Sequence, residues 1–223
     1  MVANGYRKTT DLPRVIPVLP LDRAILLPGG ALPLQIFEPR YLNMIDDAMA
    51  GNRFIGMVQT ARGGDRAQPA LARVGCAGRI TAYAETGDGK YLITLTGVCR
   101  FRSGGELGAL TPYRQVRADY APFEADLEGA EAVLEFERAP FLALLRRYLD
   151  RRGLGIEWET VNAAPGAALV DSLCMALPFA PAEKQALLEA RALEERRAVL
   201  DTLLEIDAAP GADEGDDEPP VLQ

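Results

Sequence analysis

The spacing of apolar positions changes once along the chain, near residue 121. Before that point apolar residues alternate or cluster in short runs, which is a strand signal. Val15 to Leu19 reads as a first strand, carrying Pro17 and closed by Pro20; a proline inside a strand marks an edge or a strand start. Ile25-Leu26-Leu27 runs into the turn residues Pro28-Gly29-Gly30. Leu32, Leu34 and Ile36 then alternate with Pro33 and Gln35 through a second strand that ends at Phe37. Glu38-Pro39 opens a helix, since proline at the first helical position loses no intrahelical bond. Tyr41, Leu42, Met44, Ile45, Ala48 and Met49 form its apolar face, and Gly51 is placed to end it. Further strands are predicted over 54–58, 71–84, 91–98, at Phe101 and over 113–120. Gly87-Asp88-Gly89 is a hairpin turn.

Beyond Pro122 the period becomes helical. Phe136, Phe141, Leu144, Leu145, Tyr148 and Leu149, with Val133 and Leu134 ahead of them, predict a helix over 127–152 that Pro140 kinks or splits. Arg146, Arg147, Arg151 and Arg152 crowd its C-terminal end, where cations suit the helix dipole. Asn162 is the predicted cap of a second helix bearing Leu169, Val170, Leu173, Cys174 and Leu177 and ended by Pro178. Pro181 starts a third, with amphipathic stretches over 184–189 and 193–206. Strands followed by helices mean an α+β fold. The predicted organisation is a loose lead-in over 1–13, a small β-barrel or sandwich with one short helix over 14–121, helices over 122–206, and an acidic disordered tail over 207–223.

Composition supports an ordinary globular chain of 223 residues, 48% hydrophobic and 25% charged. A chain this long buries enough surface to fold without disulfides or metals. The net charge of −8 is concentrated at one end: Asp207, Asp213, Glu214, Asp216, Asp217 and Glu218 account for most of it. The remaining body is close to neutral, which argues against general nucleic-acid binding. No stretch approaches the ~20 apolar residues of a membrane span, and the N-terminus is no secretory signal. The expected location is therefore the cytoplasm, with Cys76, Cys99 and Cys174 as buried thiols.

The candidate chemistry is mostly an absence. The chain has no histidine, so Ser-His-Asp and Cys-His arrangements are excluded. No signature relates Ser103 or Ser172 to Lys8, Lys90 or Lys184. Gly89-Lys90 lacks the rest of a phosphate loop. The acid pairs Asp46-Asp47, Glu194-Glu195 and Asp216-Asp217 read as solvated surface, because adjacent helical residues point apart. No catalytic residue, cofactor or metal ligand is predicted. Phe37, Glu38, Arg40 and Tyr41 form the one unusual cluster, and two readings stand side by side. Either they make a binding epitope at a strand–helix junction, or Glu38 complements the helix N-terminus while Tyr41 enters the core.

Several stretches are similar to a known family. Ile16-Pro17-Val18-Leu19-Pro20-Leu21 and Leu27-Pro28-Gly29-Gly30-Ala31-Leu32-Pro33-Leu34 resemble the opening of the Lon protease N-terminal domain. Val74-Gly75-Cys76-Ala77-Gly78-Arg79-Ile80 resembles its next conserved strand, and Asp88-Gly89 through Arg100-Phe101 its hairpin. Lys184 to Glu189 and Glu195-Arg196 resemble a later helical segment. The run Ile36 to Tyr41 looks like the stand-alone bacterial form, without ATPase and peptidase modules. The resemblance implies a PUA-like β-barrel followed by a helical bundle, and a non-catalytic module that binds polypeptide substrates or partner proteins. An RNA- or small-molecule-binding barrel is the alternative, for which Arg73, Arg79, Arg100, Arg102, Arg114 and Arg117 would supply a basic strip. A peptidase activity is not expected.

Overall fold

The computed structural model describes residues 5–64, 68–108, 110–128 and 136–208. Its elements follow the change of period. Strands β1 (Val15–Pro20) and β2 (Ala31–Ile36) precede helix α1 (Pro39–Ala50). Strands β3 (Phe54–Val58), β4 (Thr60–Gly64), β5 (Pro69–Leu71), β6 (Val74–Glu85), β7 (Tyr91–Glu106) and β8 (Gln115–Asp119) come next. A 3-10 stretch, Ala121–Leu127, leads toward α2 (Arg138–Arg152), α3 (Trp158–Ala163), α4 (Gly166–Ala176), α5 (Pro181–Glu189) and α6 (Leu193–Ala208). The fold is α+β. Six strands form one mixed sheet in the order β2-β7-β6-β3-β1-β8, with a further pairing between β7 and β8. Strands β4 and β5 pair only with each other.

Pro17 does not mark an edge. Its strand has a neighbour on each side: Val15–Pro17 pairs antiparallel with β8, and Val18–Pro20 pairs parallel with β3. Bonds from Ala118 N–H to Arg14 O and from Val18 N–H to Arg114 O, both 2.9 Å, set the alternation along β8. They turn the Pro17 nitrogen away from β8, and the β3 register begins one residue later. The missing N–H therefore costs neither ladder a bond.

The strands are less uniform than their sequence suggests. β6 and β7 span 12 and 16 residues and dominate the sheet. Gly89, at φ 78°, closes the tight turn between them, with Thr86 N–H bonded to Lys90 O at 2.8 Å. At Gly97 the backbone of the 25–27 run comes so close that an added Cβ would lie 2.0 Å from Leu27 O. Ile25, Leu26 and Leu27 are nearly or fully buried there, although they join no strand.

The helical half departs from its reading at Pro140 and at Asn162. Pro140 kinks nothing: α2 starts at Arg138, so the proline lies in the first turn, where an N–H has no partner to lose. Val133 and Leu134 lie outside the described residues. Asn162 is inside α3 rather than capping the next helix; Pro165 precedes α4 and its carbonyl takes the first bond, from Leu169 N–H at 2.9 Å. Helix α6 continues to Ala208, past the predicted end at 206; the predicted tail beyond it, 209–223, lies outside the described residues. At the other end, residues 5–12 are not loose. Leu12 is buried, the Tyr6 ring meets Phe54 edge-on at 5.2 Å, and Asp11 accepts from Arg7 and Lys8 N–H.

Buried cations tie the helices to one another and, through Arg100, to the sheet. Arg100 of β7 is 3% exposed. It holds Asp126 through Nε and Nη2 at 2.9 and 2.8 Å and donates to the carbonyls of Leu188, Ala190 and Arg191 beyond and at the end of α5. Its guanidinium also lies 4.6 Å from the centre of the Phe123 ring. Arg196 of α6 bonds Leu187 O and Asp171. Lys184 of α5 donates to Cys174 O and Met175 O, both at 2.7 Å, which satisfies carbonyls at the end of α4. Burial pushes the Lys184 amine down to about 8. Gln59, also buried, reaches Pro181 O and Gln185 from the sheet side.

Candidate functional site

An exposed, largely apolar surface lies on the outer face of β2, β7 and β6. Register places Pro33, Thr94 and Ala82 in one row and Gln35, Leu92 and Ala84 in the next. The opposite face carries Leu34, Ile93 and Tyr83. Alternating side chains point to opposite faces, so these rows separate cleanly. Leu92 is 46% exposed. Its neighbours across the strands are an alanine and a glutamine, too short or too flexible to cover it. A shallow depression of about 410 Å³ results, lined on this face by Pro33, Gln35, Ala82, Ala84, Leu92 and Thr94. Helix α1 fixes the other face: Tyr91 O–H donates to Asp46 at 2.8 Å, and the Tyr83 and Tyr91 rings meet at 5.1 Å.

β2 ends the sheet, so its outer edge is open. The bond from Gly97 N–H to Gly30 O, 2.8 Å, sets which residues face β7. Residues 32, 34 and 36 turn inward, and 31, 33 and 35 turn to the open edge. Pro33 thus removes the central donor of that edge, which discourages an added strand.

A half-buried cation stands at one end of the outer face. Arg79 of β6 pairs with Phe54 of β3 on one side and Thr96 of β7 on the other. Its Nε is shielded from solvent and has no hydrogen-bond partner. Beside it the hydroxyls of Thr81 and Thr96 bond each other at 2.8 Å. Thr81 is the extra residue where the β6–β7 register shifts.

The four residues singled out in the sequence divide between surface and core. Phe37 follows β2 directly and is 62% exposed. Glu38 takes the position before α1, its carbonyl accepting from Tyr41 and Leu42 N–H at 2.9 Å. Arg40 pairs with Glu38 at 2.9 Å and lies 4.5 Å from the Tyr41 ring centre. Tyr41 is buried, and burial raises its hydroxyl pKa. Phe37, Glu38 and Arg40 therefore share a surface beside the β2 face, while Tyr41 belongs to the core.

Other candidates resolve differently. Asp47 accepts from Tyr113 O–H at 2.7 Å; burial and that carboxylate push the phenol up to about 12. Asp46 and Asp47 are exposed, as a solvated-surface reading requires, and each also accepts from a tyrosine, Tyr91 of β7 and Tyr113 just before β8. Arg100 leaves the proposed basic strip for the interior, and Arg114 is paired with Glu106. The three cysteines are buried free thiols, and desolvation raises each above its ordinary value. Ser172 is on α4, exposed. Among the described residues no group of His, Cys, Asp and Glu is arranged to hold a metal. None of their helices is long and apolar enough to cross a membrane. The outer face of β2, β7 and β6 escaped sequence reading, although Ala82-Tyr83-Ala84 opposite Leu92 was a visible signal. Small residues on an exposed strand leave room that large ones would fill.

Lon protease 2 of Myxococcus xanthus is 31% identical over 134 residues, covering 59% of this chain and 16% of that protein. Lon protease of Roseiflexus castenholzii is 26% identical over 199 residues, covering 86% of this chain and 24% of that protein. The chain thus spans about a quarter or less of the length of these curated relatives. Two solved structures share the fold. A Lon N-terminal domain protein from Xanthomonas campestris has a TM-score of 0.58 at 21% identity, covering 86% of this chain and 97% of that one. The N-terminal domain of Mycobacterium avium complex Lon protease has a TM-score of 0.56 at 22% identity, covering 84% and 96%. The family model for the substrate-binding domain of ATP-dependent protease La (LON) matches residues 15–205. With most of its length inside that match, the chain belongs to the LON substrate-binding domain family.

Proposed function

We propose that this chain is a non-catalytic module that binds polypeptide through the outer face of β2, β7 and β6 and the adjoining Phe37, Glu38 and Arg40. The observation that carries the proposal is a pair of large apolar side chains left in water close together, Leu92 at 46% and Phe37 at 62% exposure. Exposed apolar patches rimmed by polar groups mark partner sites. Leu92 lies opposite Gln35, two residues before Phe37, so the two belong to one stretch of surface. Tyr41 supports it from the core. The proline on the β2 edge favours face binding over strand addition.

The family supports polypeptide as the ligand. The missing histidine and the engaged Lys184 amine support a role without chemistry. We further read the sheet as a small PUA-like barrel over 14–121, supported by the β7–β8 pairing that returns the strand order on itself. The helices over 122–206 are read as a bundle, supported by the contacts of α6 with α2, α4 and α5. The buried free thiols suit the cytoplasm. An RNA-binding barrel is less favoured, because Arg100 and Arg114 are already engaged.

The test uses the full chain and an unfolded probe, reduced carboxymethylated lactalbumin, with binding read by fluorescence anisotropy. Leu92→Asp and Phe37→Ser each weaken binding about tenfold, as expected for one buried apolar side chain, with the melting temperature unchanged. Wild-type affinity in both variants would overturn the proposal.

A further inference from the structure

Arg79 is an anomaly of placement. An arginine carries five N–H donors and keeps its charge at any physiological pH. A partly buried guanidinium normally finds a carboxylate or carbonyls, because leaving a donor unmade costs its full desolvation. Here Nε is cut off from water and bonds nothing. The neighbouring donors and acceptors do not serve it: Thr81 and Thr96 bond each other, and Thr81 also reaches Thr94 O at 3.3 Å. Nε thus calls for an acceptor, and the charge of the guanidinium favours an anionic one.

The surroundings say which anion. Thr96 is followed two residues back along β7 by Thr94, in a row with Pro33 and Ala82, and two further by Leu92. Two strand residues advance about 7 Å, close to the step between alternate side chains of an extended peptide. The guanidinium and the apolar depression thus lie on one line along the face. In the other direction the line closes, since Val98 and Cys99 of β7 and Ala77 of β6 are fully buried. A chain lying along this face has to stop at Arg79. A peptide stops in a carboxylate.

We propose that Arg79, with the Thr81 and Thr96 hydroxyls, receives the C-terminal carboxylate of a polypeptide whose last apolar side chains fill the depression beside Leu92. This inference rests on the polypeptide-binding reading above and narrows its substrate to chains with apolar C-termini. Charge complementarity selects the terminus, because Arg79 supplies one fixed cation and the depression supplies none. A carboxylate matches the guanidinium fork with two parallel bonds, and the threonine hydroxyls can turn to donate to it.

The test compares two fluorescein-labelled peptides of identical sequence ending in Ala-Leu-Leu, one with a free carboxylate and one amidated. Both are titrated by anisotropy against the full-length wild type, Arg79→Gln, Arg79→Lys and Leu92→Asp. The expected result is a free-acid preference of about tenfold in the wild type, typical of a hydrogen-bonded charge pair. That preference disappears in Arg79→Gln, is partly kept in Arg79→Lys, and leaves amide binding unchanged in both. Leu92→Asp weakens both peptides. Equal binding of acid and amide, both lost in Leu92→Asp, overturns the carboxylate site and leaves the polypeptide-binding surface standing. Binding of neither peptide overturns the site; with lactalbumin also unbound, the broader reading falls too. Displacement of the acid peptide by a short single-stranded RNA at low salt would assign Arg79 to phosphate instead and overturn it as well.

Discussion

Arg100 and Arg79 lie on the two longest strands of one sheet, and the fold treats them in opposite ways. Arg100 is almost wholly buried, and its Nε, Nη1 and Nη2 all hold an acceptor. Arg79 is half-buried with an Nε that holds none. The first arginine faces helices whose ends leave carbonyls and an acid needing donors. The second stands at one end of a face whose rows carry proline, threonine, alanine, glutamine and leucine and no charged residue. A cation in the first setting is part of the architecture. One in the second setting, on the proposal made above, is paired when a ligand arrives. The same contrast separates the two regions as wholes: the sheet–helix junction is closed by its own polar bonds, and the outer face of β2, β7 and β6 is left incomplete.

Breaking the junction has the largest expected effect. Arg100→Ala strands Asp126 and three backbone carbonyls in the interior, and should cost about 3–5 kcal/mol, as for one half of a buried ion pair. Urea denaturation read by circular dichroism checks it; a loss under 1 kcal/mol would mean the junction is wetter than its burial indicates. Gly97→Ala comes next, at about 2–3 kcal/mol, since its Cβ would meet a backbone carbonyl that no side-chain rotation can move aside. The same denaturation assay measures it.

Lys184 sharpens the comparison through pH. Its folded-state pKa of about 8 lies below the ordinary 10.5. Between those values the unfolded chain holds a proton that the folded chain has released, so this group's contribution to stability rises with pH across that window. Lys184→Met removes that dependence. The difference in stability between wild type and variant should therefore shift toward the wild type from pH 8 to 10.5, measured by thermal denaturation in matched buffers. A flat difference would mean that Lys184 stays charged when folded. The smallest effect belongs to Arg79→Leu, which strands no partner and removes a shielded donor, so stability stays within about 1 kcal/mol of wild type or rises. A large destabilisation there would erase the distinction between the two arginines.

Much of the fold was legible in advance. The α+β order, the α1 helix from Pro39 to its end before Gly51, the Gly87-Asp88-Gly89 turn and the start of α5 at Pro181 each depend on a few adjacent residues. Pro17, Pro140 and Asn162 were misread for one shared reason. The effect of a proline or a cap depends on which hydrogen bond is at stake there, and that is set by the partner strand or by where the helix begins. Of the candidate site, the strand–helix junction at Phe37 to Tyr41 was visible, because an exposed aromatic beside a proline-initiated helix is a local pattern. The face around Leu92 was not, since it is assembled by register between three strands.

What the sequence determined by itself was therefore local or compositional: periods, turns, helix starts, the acidic terminus and the lack of any histidine. These rest on neighbours along the chain or on simple counting. Only the tertiary structure decided the fate of the charged groups. Arg79 and Arg100 are the same residue type in similar strand contexts, and Lys184 reads as an ordinary polar position on an amphipathic helix. Whether each is buried or satisfied depends on groups 9 to 91 residues away, because desolvation and hydrogen bonding act through space and not along the chain.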